Sequence, residues 1–214
     1  MSLEEPPASL ILVHGAGSDP SIYADWPADF PSIHVRTVDL HDGLDVSRVS
    51  HADYAARVVS AARKLEAPVS LCGWSMGGLV VLQAVAEVRP HSVVVMEPSP
   101  PAEAQGFDSS IVTAPGTFDP EHVYGSFPPG VVARPESSLA RSERKRGISV
   151  PSLPCPSLVV FGRDFAEERG RAVARLYGSE QLPFPELGHW DLVREPRVRV
   201  AIGTWLGLVE RAPI

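Results

Sequence analysis

Six short apolar runs punctuate the chain, and between them the apolar residues recur at helical spacing. The runs are LILV at 10–13, HVRTVDL at 34–40, VSLC at 69–72, SVVVM at 92–96, SLVVF at 157–161 and a weaker QLPF at 181–184. Runs of Leu, Ile and Val without polar alternation suit strands covered on both faces, as in a parallel sheet. Helical stripes separate them. Tyr54, Val58, Ala61, Ala62 and Leu65 share one face of an expected helix over 51–65, with Ser50 and Asp53 placed to cap its start. Residues 76–89 are apolar all round, as in a helix buried within a fold, and Pro90 closes them. Further helices are expected over 168–177, stopped by Gly178, and over 196–210, opened by Pro196. Strand and helix in alternation predict a three-layer α/β/α architecture with a mostly parallel central sheet of about six strands. Ligands of such sheets bind at the carboxyl ends of the strands.

The 214 residues fit one domain spanning 1–214. Residues 98–150 interrupt the alternation. They are rich in Pro, Ser and Gly, with one helix expected at 136–146, and are too long for a simple connection. They read as a lid-like insertion, in which Phe107, Phe118, Tyr124 and Phe127 either line an apolar pocket or pack internally.

Composition excludes several classes. The net charge of −7 leaves no basic face for phosphates, so no nucleic-acid partner is expected. No apolar run approaches the roughly 20 residues of a membrane span, and MSLEEPPAS lacks the pattern of a secretion signal. A cytoplasmic location without membrane association is expected. The two cysteines, Cys72 and Cys155, are too few for a disulfide framework. No metal-ligand cluster and no phosphate-cradling loop is visible, so neither metal nor other cofactor is expected. Oligomeric state is not legible.

The strongest chemical signal is VSLCGWSMGGLVVLQ, which reads strand, Gly73-Trp74-Ser75-Met76-Gly77, helix. A turn this tight excludes side chains two residues either side of Ser75, and it lifts the hydroxyl to the positive end of a helix. Ser75 is therefore the candidate nucleophile, and Gly78 is expected to let the helix approach the sheet. Upstream, LILVHGAGS ends a strand in a glycine-rich loop. Acyl transfer needs two amides aimed at the developing oxyanion, and Ala16 and Met76 are placed to supply them. His14 is expected to hold this loop by hydrogen bonds.

Seven histidines compete for the role of base. His34, His41, His51, His91 and His122 lie in ordinary contexts, whereas His189, in PFPELGHWDLV, occupies a loop between a late strand and the last helix, within reach of a strand-end serine. Two carboxylates, Glu97 after SVVVM and Asp164 after SLVVFG, end strands from which either could orient His189. Asp191 reads as an exposed charge at a helix start.

HGAG, GWSMGG, LVVFGRD and GHW followed by a helix together resemble the α/β-hydrolase superfamily, over about residues 10–208. The resemblance implies a Ser-His-acid serine hydrolase of ester or related acyl bonds, carboxylesterase-like, acting on a small-molecule acyl substrate. Many members carry Gly-x-x-Asp after the penultimate strand, a spacing that here falls on Phe165. VVVMEP is instead similar to the strand end of haloalkane dehalogenases and relatives whose acid is a Glu, which favours Glu97; their Asp nucleophile is absent, which disfavours dehalogenation. The short lid and the early oxyanion strand suggest a minimal form of the family, without the first strands of larger members. The same residues would also serve a thioesterase, amidase, lyase or C–C hydrolase, and the fold alone would serve a non-catalytic binding protein.

Overall fold

The computed structural model describes residues 5–209, and residues 1–4 and 210–214 lie outside it; the last helix, expected over 196–210, ends already at Trp205, ahead of Gly207 at φ 75°. Eight strands are present among the described residues: β1 (Ser9–Val13), β2 (His34–Val38), β3 (Val69–Trp74), β4 (Ser92–Met96), β5 (Thr117–Phe118), β6 (Glu136–Ser137), β7 (Ser157–Phe161) and β8 (Glu180–Pro183). Six of them form one sheet in the order β2-β1-β3-β4-β7-β8, parallel throughout. Helices α1 (Trp26–Asp29), α2 (His51–Ala62), α3 (Met76–Val88), α4 (Ala102–Gln105), α5 (Pro120–Tyr124), α6 (Ser138–Arg146), α7 (Ala172–Tyr177), α8 (Asp191–Arg194) and α9 (Pro196–Trp205) complete the chain.

Side-chain alternation along the buried strands builds the three layers. Ile11, Val13, Leu71, Val93, Val95 and Val159 face one core, shared with α2, α3 and α7. Their neighbours Leu10, Leu12, Cys72, Val94, Met96 and Val160 face the other, shared with Trp26, Leu192, Val198 and Ile202. Continuous apolar runs are needed because both faces are covered. The outer strands β2 and β8 keep polar, exposed positions and accordingly read weakly in the sequence.

The expected elements differ from the observed ones mainly at their ends. The second strand stops at Val38, because the amide of Leu40 turns to donate to His14 Nε2 at 3.1 Å instead of to the sheet. The helix expected over 168–177 opens as a π-turn, Ala166–Arg171, in which the amides of Arg169 and Gly170 both donate to Phe165 O. The helix at 51 begins in a full capping box, with Asp53 N donating to Ser50 Oγ and Ser50 N to Asp53 Oδ2. Residues 98–150 carry three short helices and the small β5–β6 ladder, whose second strand takes the first two residues of the helix expected from 136.

The turn between β3 and α3 fixes the geometry of the strand ends. A Cβ on Gly73 would lie 2.3 Å from Gly77 O, and one on Gly77 would lie 2.3 Å from Val13 O. Both obstacles are backbone, so neither yields by a rotamer change. Gly77→Ala is therefore expected to cost about 3 kcal/mol or more in urea unfolding, whereas loss of the Ser50 cap in Ser50→Ala costs only about 1 kcal/mol. Equal losses in the two variants would contradict the close approach at Gly77.

Candidate active site

Four loops meet at the carboxyl edge of the sheet. Ser75 follows β3 with φ 56° and ψ −122°, a left-handed conformation that a non-glycine residue holds only where its surroundings impose it. Its amide donates to Met96 O at 3.0 Å and its carbonyl accepts from Ser99 N at 2.9 Å, so both sides of the turn are tied to the end of β4. The hydroxyl neither caps α3 nor bonds any other described residue, and Ser75 and His189 line one cleft of about 870 Å³.

His189 is held on every side. Its Nδ1 lies 2.6 Å from Glu97 Oε2, its ring stacks on Trp74 with centroids 4.8 Å apart, and Phe165 meets it edge-on at 5.1 Å. The Trp74 indole donates to His189 O at 3.0 Å. Burial pushes the imidazole below its ordinary value of 6.5; the Glu97 carboxylate opposes this, and the Arg169 charge adds to it. The ring is thus kept neutral near pH 7, with Nδ1–H donated to Glu97 and Nε2 left as the acceptor.

Glu97 ends β4 at φ 39° and is fully buried. Its amide donates to Val160 O and its Oε1 accepts from Gly162 N, both at 2.8 Å, so the neighbouring strand β7 fixes both backbone and carboxylate. Asp164, the other candidate for orienting the imidazole, does not meet the ring. Its Oδ2 accepts from the backbone amide of His189 at 2.7 Å, because the chain has already turned away from the sheet two residues after Gly162. Asp191 opens α8 and accepts from Gly188 N at 2.8 Å, so two aspartates pin the backbone of the histidine loop.

On the other side of Ser75, Ala16 lines the cleft and Met76 begins α3. Neither amide has an acceptor among the described residues, the state required of groups that receive an oxyanion. His14 is buried, its Nδ1 2.9 Å from Gly15 O, while its Nε2 accepts from Leu40 N, which anchors the loop as expected of it.

A cluster not foreseen in the sequence also holds this loop. Glu136 is fully buried, and its Oε2 accepts from Gly17 N at 3.0 Å. Its Oε1 accepts from the Tyr54 hydroxyl and from Ser137 N, and lies 3.2 Å from His41 Nε2. Burial alone would raise this carboxyl; His41, Tyr54 and the Ser137 amide outweigh it and hold it at about 2. Beside it, Arg134 donates to both oxygens of Asp39 and to Ser18 O, and its amide donates to Gly17 O. The partners are far apart in the chain and sit in unremarkable contexts, so no local pattern marks them. Of the remaining histidines, His51 bonds Gln83 and His91 bonds a backbone carbonyl. Of the insertion aromatics, Tyr124 and Phe127 line the cleft, whereas Phe118 packs on Tyr124 and Phe107 is exposed beneath Arg146.

A model of the alpha/beta hydrolase family matches residues 10–202. The chain belongs to that family. Among curated proteins it is similar to a pimeloyl-(acyl-carrier protein) methyl ester esterase of Neisseria meningitidis serogroup B, 34% identical over 89 residues that make up 40% of this chain and 33% of that one. The match thus spans about a third of the relative's length. A solved methylesterase from Arabidopsis superposes with a TM-score of 0.69 at 17% identity, covering 94% of this chain and 99% of its own. A pyrethroid hydrolase from Sphingobium faniae JZ-2 gives 0.69 at 15% identity, covering 94% and 97%. At such identities the likeness establishes the shared fold. Among the described residues, no helix is long and apolar enough to cross a membrane.

The low value of Glu136 fixes the sign of its linkage to stability. Its folded value lies below the ordinary 4.5, so its contribution is complete above about pH 4.5 and is lost as the pH falls toward 2. Glu136→Gln is expected to cost on the order of 3 kcal/mol at pH 7, and the gap to the parent protein is expected to narrow below pH 4.5. Urea unfolding from pH 7 to pH 3 measures this; parallel curves would contradict it.

Proposed function

We propose that this protein is a serine esterase that hydrolyses a small acyl ester through an acyl-enzyme, with Ser75 as nucleophile, His189 as base and Glu97 as the acid that orients it. The observation that carries the reading is the 2.6 Å contact between Glu97 and His189 Nδ1, in a cleft that His189 shares with Ser75, whose backbone is strained and whose hydroxyl has no partner among the described residues. In the first step Ser75 Oγ attacks the ester carbonyl while its proton passes to His189 Nε2. Glu97 stabilises the imidazolium, and the amides of Ala16 and Met76 receive the oxyanion. Collapse of the tetrahedral species expels the alcohol, which takes the proton from Nε2. Water, deprotonated by the same nitrogen, then attacks the acyl-Ser75; the acid leaves and the proton returns to Ser75. The esterase names among the relatives, and membership of the alpha/beta hydrolase family, support the ester as substrate class. Asp164 is given the separate role of holding the His189 backbone.

Short-chain 4-nitrophenyl esters test the assignment. Ser75→Ala is expected to lose at least roughly 10⁴-fold in kcat, and Glu97→Gln roughly 10³-fold. Asp164→Asn is expected to lose much less, because an amide oxygen still accepts from the His189 amide. Undiminished turnover in Ser75→Ala would refute the nucleophile, and a larger loss in Asp164→Asn than in Glu97→Gln would move the acid role.

The depressed value of His189 predicts the pH profile. The base is active when neutral, so kcat/KM is expected to rise with pH along an acidic limb centred below 6.5 and to be level at neutral pH. A limb centred above 6.5 would mean that the Glu97 charge, not burial, governs the ring.

A further inference from the structure

The cleft that holds Ser75 and His189 has an apolar lining from Trp74, Phe127, Phe165 and Trp190. It also receives two guanidinium groups, Arg144 from α6 and Arg169 from the π-turn. Arg144 is only 8% exposed, yet its donors go to neutral oxygens: the Tyr124 hydroxyl at 2.9 Å and Ser99 Oγ at 3.4 Å. Arg169 lies 3.8 Å above the Phe165 ring and is partly buried. Neither forms an ion pair with a carboxylate among the described residues.

Arg141 and Arg146, which are half-buried over the Phe118 and Phe107 rings and do not line the cleft, likewise form no ion pair among the described residues, but the one other arginine buried as fully as Arg144 does. Arg199, equally buried, is paired with Asp29, and Arg134 is paired with Asp39. A buried arginine without a carboxylate retains its charge, since guanidinium does not deprotonate in proteins, and its desolvation is left uncompensated. Arg144 and Arg169 also act on each other: burial, then the Arg144 charge, pushes Arg169 below its ordinary value, against the opposing pull of Glu97 and Glu168. The cleft does contain acidic groups. Asp164 is engaged by Arg163 and by the His189 amide, and Glu168 is exposed. Two guanidinium charges held around one space, one of them on neutral partners only, with the exposed Lys145 as a third cation of the lining, make a receptor for an anion. Planar guanidinium groups bind carboxylate and phosphate oxygens with paired, charge-assisted hydrogen bonds.

We propose that Arg144 and Arg169 form an anion subsite beside Ser75, and that the substrate is an ester bearing a carboxylate or phosphate away from the scissile bond. This rests on the esterase reading of the cleft and narrows its substrate class. The anion belongs either to the acyl part, as in a half-ester of a dicarboxylic acid, or to the alcohol part; the chemistry recognised is the same.

Matched esters test the subsite and separate the two sources. For the acyl side, 4-nitrophenyl hydrogen adipate is compared with 4-nitrophenyl hexanoate; for the alcohol side, 4-carboxyphenyl butyrate is compared with 4-acetylphenyl butyrate. The expected result is that at least one anionic ester exceeds its neutral match about tenfold in kcat/KM, and that Arg169→Gln lowers that ratio about tenfold. The pair that shows the preference identifies the source. Arg144→Gln is expected to act in the same direction, but Arg169 is the more exposed, so its variant separates charge from folding. Ratios near one for both pairs, or ratios unchanged by both substitutions, would overturn the proposal. Should none of these esters turn over, calorimetry on Ser75→Ala decides, with monomethyl adipate and 4-hydroxybenzoate as probes. Binding of either that weakens about tenfold on adding Arg169→Gln supports the subsite, and binding of neither, or binding indifferent to Arg169, overturns it. Full turnover in Ser75→Ala with an Arg169-dependent ratio would remove the nucleophile and leave the subsite standing.

Discussion

A buried carboxylate facing an imidazole is the interaction on which this edge of the sheet depends. Glu97 has no solvent to stabilise its charge, so every lone pair must find a donor within the protein. It finds the amide of Gly162 and the Nδ1 proton of His189. To present both oxygens it occupies a left-handed backbone conformation at the end of β4, as Ser75 does at the end of β3. Each such residue carries on the order of 1–3 kcal/mol of strain. The strain is held by bonds between adjacent strand ends, from Ser75 N to Met96 O and from Glu97 N to Val160 O, so the register of β3, β4 and β7 is also the register of the site.

The molecule uses a second buried carboxylate in a parallel way. Glu97 orients the histidine on one side of Ser75; Glu136 and Arg134, from the long insertion, grip Gly17 and Ser18 on the other. The insertion is therefore part of the frame that sets the position of the Ala16 amide, as well as a source of cleft-lining residues such as Tyr124 and Phe127. Negative charge is fully enclosed at both anchors, while the cleft between receives uncompensated positive charge from Arg144. The overall charge of −7 conceals this local inversion.

Much of this architecture was legible in the sequence because it follows from local rules. Strands buried on both faces must be continuous apolar runs, and LILV, SVVVM and SLVVF lie where the central strands lie. Gly73 and Gly77 were legible because the turn tolerates no side chain there. The π-turn that opens the helix at 166–177 was not, since an acceptor shared by the Arg169 and Gly170 amides leaves no mark in the apolar spacing, and neither was the end of β2, which is set by a partner distant in sequence, His14 for Leu40. The same reason hid the Glu136–His41–Tyr54 cluster. Glu97 and Asp164 both stand after strands and both reach the histidine loop; only the fold separates a carboxylate on the imidazole from one on its amide. The four aromatics of the insertion were likewise inseparable by type, and two of them line the cleft.

Covalent labelling with a fluorophosphonate, followed by peptide mapping, addresses the proposed chemistry most directly, because it reads a hydroxyl made nucleophilic by its imidazole without reference to any substrate. A single adduct is expected on the peptide containing Ser75, with its rate of formation sharply reduced when Gln replaces Glu97. An adduct on another residue, no adduct at all, or a labelling rate indifferent to Glu97 would contradict the account.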